Sequence, residues 1–412
     1  MNTRSSHPEG EQSPVASAAA TEAADLDAAF ERALAAIEEG RVPDPEDLIP
    51  GRPDLREPLD ALIELAASVT VGPLAISFFP KVDGYEIQTE IGRGGMGAVY
   101  LARQVAAGSR MVALKVLPSE AASATTRERF RREAVALANL QHPNVVRVYD
   151  VVASEASVAY SMEYVPGASL QRLIECVTET PRDAVSRVRE ALGVGDGLSF
   201  ESNYPVQIAR WGLHIAEALA AVHGAGLLHR DVKPSNILIR RDGVALLSDF
   251  GLVQRAVTPT TTVSAGFVGT ALYAPPEQLR CEPEAIHPRA DVFALGASLY
   301  HALVLKPPYP GRSIVQVVRA MESGAEPGLR SSPFQVPRDL VIIVLRAMAL
   351  EPGRRHQSAE ELADDLRRFL GHRPIRSRPL GARYVAGKWL YRHRRGTFAA
   401  LTGALAAGAA VL

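Results

Sequence analysis

Cysteine is nearly absent from this 412-residue chain; Cys176 and Cys281 are the two it has. Two thiols build neither a disulfide framework nor a thiolate-only metal site. The chain needs no such staple, because 47% hydrophobic residues over this length supply an ample core. Net charge is nearly absent too, at 45 Lys+Arg against 46 Asp+Glu. That balance excludes a broadly basic nucleic-acid binder, and no nucleic-acid partner is expected. Lysine is scarce, with five lysines against 40 arginines. Two of the five, Lys115 and Lys233, fall inside motifs.

The neutral total conceals a polarised chain. Residues 1–60 hold 14 Asp/Glu against 5 Arg, whereas residues 372–396 hold 8 Arg/Lys and no acid. Residues 1–22 are rich in Ser, Ala, Pro and Glu, without a basic start and apolar run. They are expected to be a disordered tail and not a signal peptide. Residues 23–80 form an acidic extension with helical periodicity over 26–39 and, more weakly, over 60–68. Two readings stay open for it: a helical prefix docked on the main domain, or a nearly free amphipathic pair.

From Tyr85 the pattern changes. Residues 85–89, 98–102, 111–117, 145–152 and 159–164 alternate as strands, and 126–140 reads as a charged helix. After Ser169 helices dominate, with short strands near 237–239 and 245–247. The order predicts an α+β unit over 85–370, with a strand-rich lobe (85–165) and a helical lobe (166–370). Residues 177–203 interrupt the helical lobe. They read as an inserted surface excursion containing one short helix, 183–192.

The spacing G-x-G-x-x-G occurs at Gly92, Gly94 and Gly97. Alone it fits a dinucleotide fingerprint, a phosphate-covering hairpin or a plain turn. A dinucleotide fingerprint opens a helix. Here Ala98-Val99-Tyr100-Leu101 follows and favours a strand, which points to a glycine-rich hairpin. Lys115 stands in the apolar run Val112-Ala113-Leu114-Lys115. An ammonium in a half-buried strand needs an anion, and Glu133 on the following helix is a candidate partner. A far more specific run is His229-Arg230-Asp231-Val232-Lys233-Pro234-Ser235-Asn236, followed by Asp249-Phe250-Gly251. Asp231 can accept a hydroxyl proton, and Lys233 can neutralise a transferring phosphoryl group. Asn236 and Asp249 are oxygen ligands suited to Mg²⁺. His229 is expected to be a packed histidine under Phe250 and not a base.

These pieces, with Gly269–Glu277, Asp291 and Arg355 in the same order, resemble the eukaryotic-like (Hanks-type) serine/threonine protein kinases of bacteria. The resemblance covers 85–370, about two-thirds of the chain. It implies the two-lobed protein kinase-like fold, with ATP between the lobes and Mg²⁺, or Mn²⁺ in its place, held by Asn236 and Asp249. Asp231, Lys233, Lys115, Glu133 and Thr270 are the implied catalytic set, with Thr270 bonded to both Asp231 and Lys233. Gly92, Gly94 and Gly97 would cover the phosphates. Ile91, Val99, Ala113 and Leu238 would enclose the adenine, with Met162 behind it and Glu163 to Val165 as the hinge. Leu137, Phe250 and His229 would stack between the lobes. Asp291 would brace the catalytic loop, and Arg355 would pair with Glu277. Lys233 and Thr270 together imply Ser/Thr substrates.

The resemblance also implies protein substrates and self-association for trans-autophosphorylation, with Thr262 or Ser264 as the expected sites. The basic stretch 371–396 is expected to be a juxtamembrane segment. The uncharged residues 397–412 are expected to begin a membrane-spanning helix, although 16 residues fall short of the roughly 20 a span requires. A C-terminal helix docked on the domain is the competing reading. The favoured one predicts a receptor-type, single-pass protein of the cell membrane with its kinase domain in the cytoplasm.

Overall fold

The computed structural model describes residues 79–94, 97–105, 108–117, 137–153, 158–195, 201, 203–250, 269–280, 287–311, 313–323, 327–379 and 381–392, together with Ala29, Arg32, Leu48 and Leu59. The chain divides into two units, Met1–Phe79 and Pro80–Leu412. In the first, Ala29, Arg32, Leu48 and Leu59 are helical, and Ala29 and Leu59 are fully buried. The expected tail 1–22 lies outside the described residues.

The second unit begins with a five-stranded antiparallel sheet: β1 (Tyr85–Gly94), β2 (Gly97–Gln104), β3 (Arg110–Leu117), β4 (Val148–Ala153) and β5 (Val158–Glu163), in the order β1-β2-β3-β5-β4. Alternation selects the strand conformation, as in β2, where Ala98, Tyr100, Ala102 and Gln104 are buried in turn. A smaller sheet follows from β6 (Gly167–Ser169), β7 (Ile237–Arg240) and β8 (Ala245–Leu247). Val145 bridges Leu247 in parallel, and Asn144 Nδ2 donates to Ala245 O at 2.9 Å, tying the strand-rich lobe to the helical one.

The helical lobe comprises α1 (Leu170–Glu179), α2 (Ala184–Leu192), α3 (Tyr204–Gly224), α4 (Pro276–Leu279), α5 (Pro288–Val304), α6 (Ile314–Glu322), α7 (Arg338–Ala347), α8 (Ala359–Leu370) and α9 (Ala382–Arg392). Asn203 caps α3, whose buried Ile208, Trp211, Ile215, Leu219 and Val222 recur at helical spacing. α5 is buried from Asp291 to Val304 and forms the centre of this lobe. A Cβ on Gly296 would stand 2.8 Å from the Ala347 Cβ, so only glycine admits α7 so close to α5. The helix expected at 183–192 is α2, which buries Ala184, Val188 and Leu192 and ends on Gly193 in the left-handed region. The first half of the supposed excursion is therefore packed helix.

The sequence expectations for the C-terminal region require correction. Within the stretch 371–396, expected to be a juxtamembrane segment, the described residues 371–379 and 381–392 make contacts with the helical lobe. Ile375 is fully buried. Arg376 pairs with Asp364 at 2.8 Å, and Arg378 and Lys388 pair with Asp339 at 2.9 and 2.7 Å. The Tyr384 hydroxyl accepts from Ile375 N–H and donates to Asp339, both at 3.0 Å. Residues 397–412, expected to begin a membrane helix, lie outside the described residues. Among the described residues no helix is long and apolar enough to cross a membrane, and the expectation of a partial transmembrane helix and a single-pass topology is corrected to that statement. The physical reason is local: basic side chains read as a membrane flank are engaged with carboxylates of α7 and α8.

This docking carries a pH prediction. Burial alone would raise Asp339, but its bonds to Lys388, Arg378 and Tyr384 outweigh that and hold it below the usual carboxylate range. Asp365 is likewise held low, against burial, by His356 and Ser377. Depressed carboxylates contribute stability above their unfolded pKa of about 4, and lose it as pH falls through the folded value. Acid titration followed by circular dichroism should therefore show stability lost below about pH 4. Asp339→Asn should lower stability at pH 7 and flatten that acid limb. A variant profile parallel to wild type would refute this role.

Candidate active site

The glycine segment is a hairpin, not a strand-to-helix turn. Gly92 pairs with Val99 and Gly94 with Gly97 across β1 and β2, and Gly97 has φ 120°. The register then assembles one face of the sheet. Val99, Lys115 and Tyr160 lie in one row, and Leu101, Ala113 and Met162 in the next. Ala113 and Met162 are buried, whereas Val99, Val165 and Leu238 are half-buried against the core. Ile91 is exposed, and Glu163 N–H donates to Arg147 O at 2.8 Å.

Lys115 Nζ lies 2.8 Å from Asp249 Oδ1, joining residues 134 apart in sequence. Burial disfavours the Lys115 ammonium, but Tyr160 and Asp249 beside it prevail and its pKa is raised. Burial likewise opposes ionisation of Asp249, and Lys115 and Tyr160 reverse that, so its pKa is lowered. The two form a charged pair at neutral pH. Glu133, the partner expected for Lys115, lies outside the described residues, as does the loop 251–268 with Thr262 and Ser264.

The loop from His229 to Asn236 is held at its start by Asp291 on the first turn of α5. Its carboxylate accepts His229 N–H at 2.9 Å, Arg230 N–H at 2.7 Å and His223 Nε2 at 2.8 Å. Burial opposes this charge, yet these bonds lower its pKa. His223 was not singled out in the sequence; its spacing from Asp291 carries no signal. His229 is fully buried, its ring 4.7 Å from that of Phe250. Its Nε2–H donates to Ser248 O and its Nδ1 accepts from Asp231 N–H. Burial lowers its pKa, so it is a neutral packing element.

Within the loop, Asn236 Nδ2 donates to Asp231 O at 2.8 Å and to Asp231 Oδ2 at 3.0 Å. Lys233 Nζ lies 2.9 Å from Asp231 Oδ2 and donates to Thr270 Oγ1 at 2.9 Å. Asp231 Oδ1 is buried and has no hydrogen-bond partner among the described residues. The second bond expected of Thr270, to Asp231, is thus not formed. Arg230 and Asp249 both have positive φ, 65° and 53°, and flank this cluster.

Hard oxygen donors suit a hard cation. Asn236 turns its Nδ2 toward Asp231, which leaves the amide oxygen to ligate, and Asp249 supplies a charged oxygen. The donor set fits Mg²⁺. Tyr160, whose hydroxyl lies 3.3 Å from Asp249 Oδ1, was also missed. Its position two residues before Met162 on the same strand face was the available signal.

The family described as "Protein kinase domain" matches residues 85–365. The serine/threonine-protein kinase PknB of Mycobacterium leprae is 35% identical over 302 residues, covering 71% of this chain and 44% of that protein. The PknB of Mycobacterium tuberculosis is 34% identical over 305 residues, covering 71% of this chain and 44% of its own length. The chain spans less than half the length of these curated relatives.

Proposed function

The chain belongs to the protein kinase domain family, as a serine/threonine protein kinase of the bacterial Hanks type, and from that premise we propose how its cleft transfers the γ-phosphoryl group of ATP to protein hydroxyls. The observation that carries the reading is Asp231, whose Oδ2 is held by Lys233 and Asn236 while buried Oδ1 has no hydrogen-bond partner among the described residues. Asp231 Oδ1 accepts the proton of a seryl or threonyl hydroxyl as its oxygen forms a bond to phosphorus and the bond to the ADP oxygen breaks. Lys233, anchored by Thr270, faces the transferring group. Lys115 positions the non-transferred phosphates beneath the hairpin of Gly92, Gly94 and Gly97. Val99, Ala113, Met162, Val165 and Leu238 supply the apolar walls for adenine, with Ile91 at the rim and Glu163 at the hinge. Asn236 and Asp249 would hold Mg²⁺, which supplies charge neutralisation across phosphate oxygens when bound. Protein substrates with Ser or Thr, and a second copy of the chain for autophosphorylation, are the partners of this reading.

The test is incubation with γ-labelled ATP and Mg²⁺, alone and with a generic basic protein. Label on serine and threonine, abolished by EDTA, is expected. Label on neither the chain nor the added protein would overturn the proposal.

A further inference from the structure

Tyr160 stands directly opposite Lys115 across the β3–β5 pair, so both side chains project from the cleft face. Its buried side chain is one wall of a small cavity whose other walls are Leu137, Val146, Val148, Met162 and Phe250, with Ser248 and Asp249 as the polar ones. An apolar side chain of similar size would form that wall without burying a hydroxyl, which is costly unless bonded. The hydroxyl reaches Asp249 Oδ1 at 3.3 Å, the oxygen that Lys115 Nζ also contacts at 2.8 Å. Asp249 meanwhile has its backbone in the left-handed region, at φ 53°, a conformation that persists where surrounding contacts over-determine it. A phenol O–H is a hydrogen-bond donor, and the carboxylate oxygen beside it is an acceptor.

We propose that Tyr160 is a positioning residue for phosphoryl transfer: its O–H and the Lys115 ammonium together hold Asp249 Oδ1, which sets the carboxylate with Oδ2 available to the cation. The inference rests on reading Asp249 as the cation ligand. It assigns the strand residue behind the cleft a part in metal affinity, which a packing role alone would not give.

Isothermal titration of ATP into the full chain, once with Mg²⁺ and once with EDTA, tests it. Tyr160→Phe keeps the ring and removes the oxygen. It should weaken Mg²⁺-dependent ATP binding about tenfold, the effect of one lost bond to a charged group. Binding in EDTA and the thermal midpoint should stay as in wild type, and kcat should fall with the Mg²⁺ affinity. Tyr160→Met, apolar and adaptable, should reproduce the loss. Wild type without Mg²⁺-dependent ATP binding would sink the reading of Asp249 itself. Wild type with it, and both variants showing the same ratio of Mg²⁺ to EDTA affinity, would overturn the role of Tyr160 alone.

Discussion

Asp231→Asn should reduce phosphoryl transfer by about 10²–10⁴-fold, the range for removing a positioned general base, while the chain stays folded and binds nucleotide. The substitution is nearly isosteric, so geometry decides its consequence. Lys233 Nζ and Asn236 Nδ2 both donate toward the Oδ2 position. An asparagine would therefore place its amide oxygen there and its NH₂ where Oδ1 now lies. A donor would then face the incoming hydroxyl, where an acceptor is required. Label incorporation at saturating ATP, set beside thermal unfolding and ATP titration, separates chemistry from folding and binding. Transfer within tenfold of wild type would remove Asp231 from the role of base.

Arg355→Leu should be the most destabilising single substitution in the helical lobe, costing about 3–5 kcal/mol by the behaviour of broken buried ion pairs. Arg355 is fully buried and grips Glu277 with two bonds, of 2.6 and 2.9 Å. It also donates to the carbonyls of Ala349, Arg289 and Leu350, at 2.7, 3.1 and 3.0 Å, and its guanidinium lies 4.9 Å from the Phe293 ring centroid. Removing it leaves Glu277 charged without its partner and three carbonyls short of a donor. Against a total stability of about 5–15 kcal/mol, that is about a fifth or more of the fold. Removing both ends, in Arg355→Leu with Glu277→Leu, should recover part of the loss, because two apolar groups need no pairing. Urea unfolding measures both variants. A shift below about 1 kcal/mol in the single variant would show that the pair is solvated.

Much of the candidate site could be read in the sequence because its chemistry demands residue types at short range. Asp231, Lys233 and Asn236 lie on one short loop and share one carboxylate, and their spacing records it. The hairpin reading of Gly92 to Gly97 rested on the alternation of Ala98 to Leu101, which β2 shows. The stack of Phe250 on His229, the Lys233–Thr270 bond and the Arg355–Glu277 pair follow the motif order. Contacts with no motif of their own could not be read. His223 reaches Asp291 across 68 positions, and Tyr160 reaches Asp249 across 89. The C-terminal segment misled for a related reason. Charge counting recorded Arg376, Arg378 and Lys388 as a basic flank, whereas acceptors on Asp364 and Asp339 lie far back in the chain.

By itself, then, the sequence determined the family and the lobe order, and it named the groups proposed to handle phosphate. Those depend on local patterning and on residue types that chemistry restricts. The tertiary structure alone decided which partner each charge takes. It set Lys115 on Asp249, engaged Oδ2 of Asp231 while giving Oδ1 no hydrogen-bond partner among the described residues, and brought Arg378 and Lys388 onto α7 and Arg376 onto α8. The reason is physical: a buried charge is satisfied by whatever packing brings within about 3 Å, and sequence distance does not enter that balance.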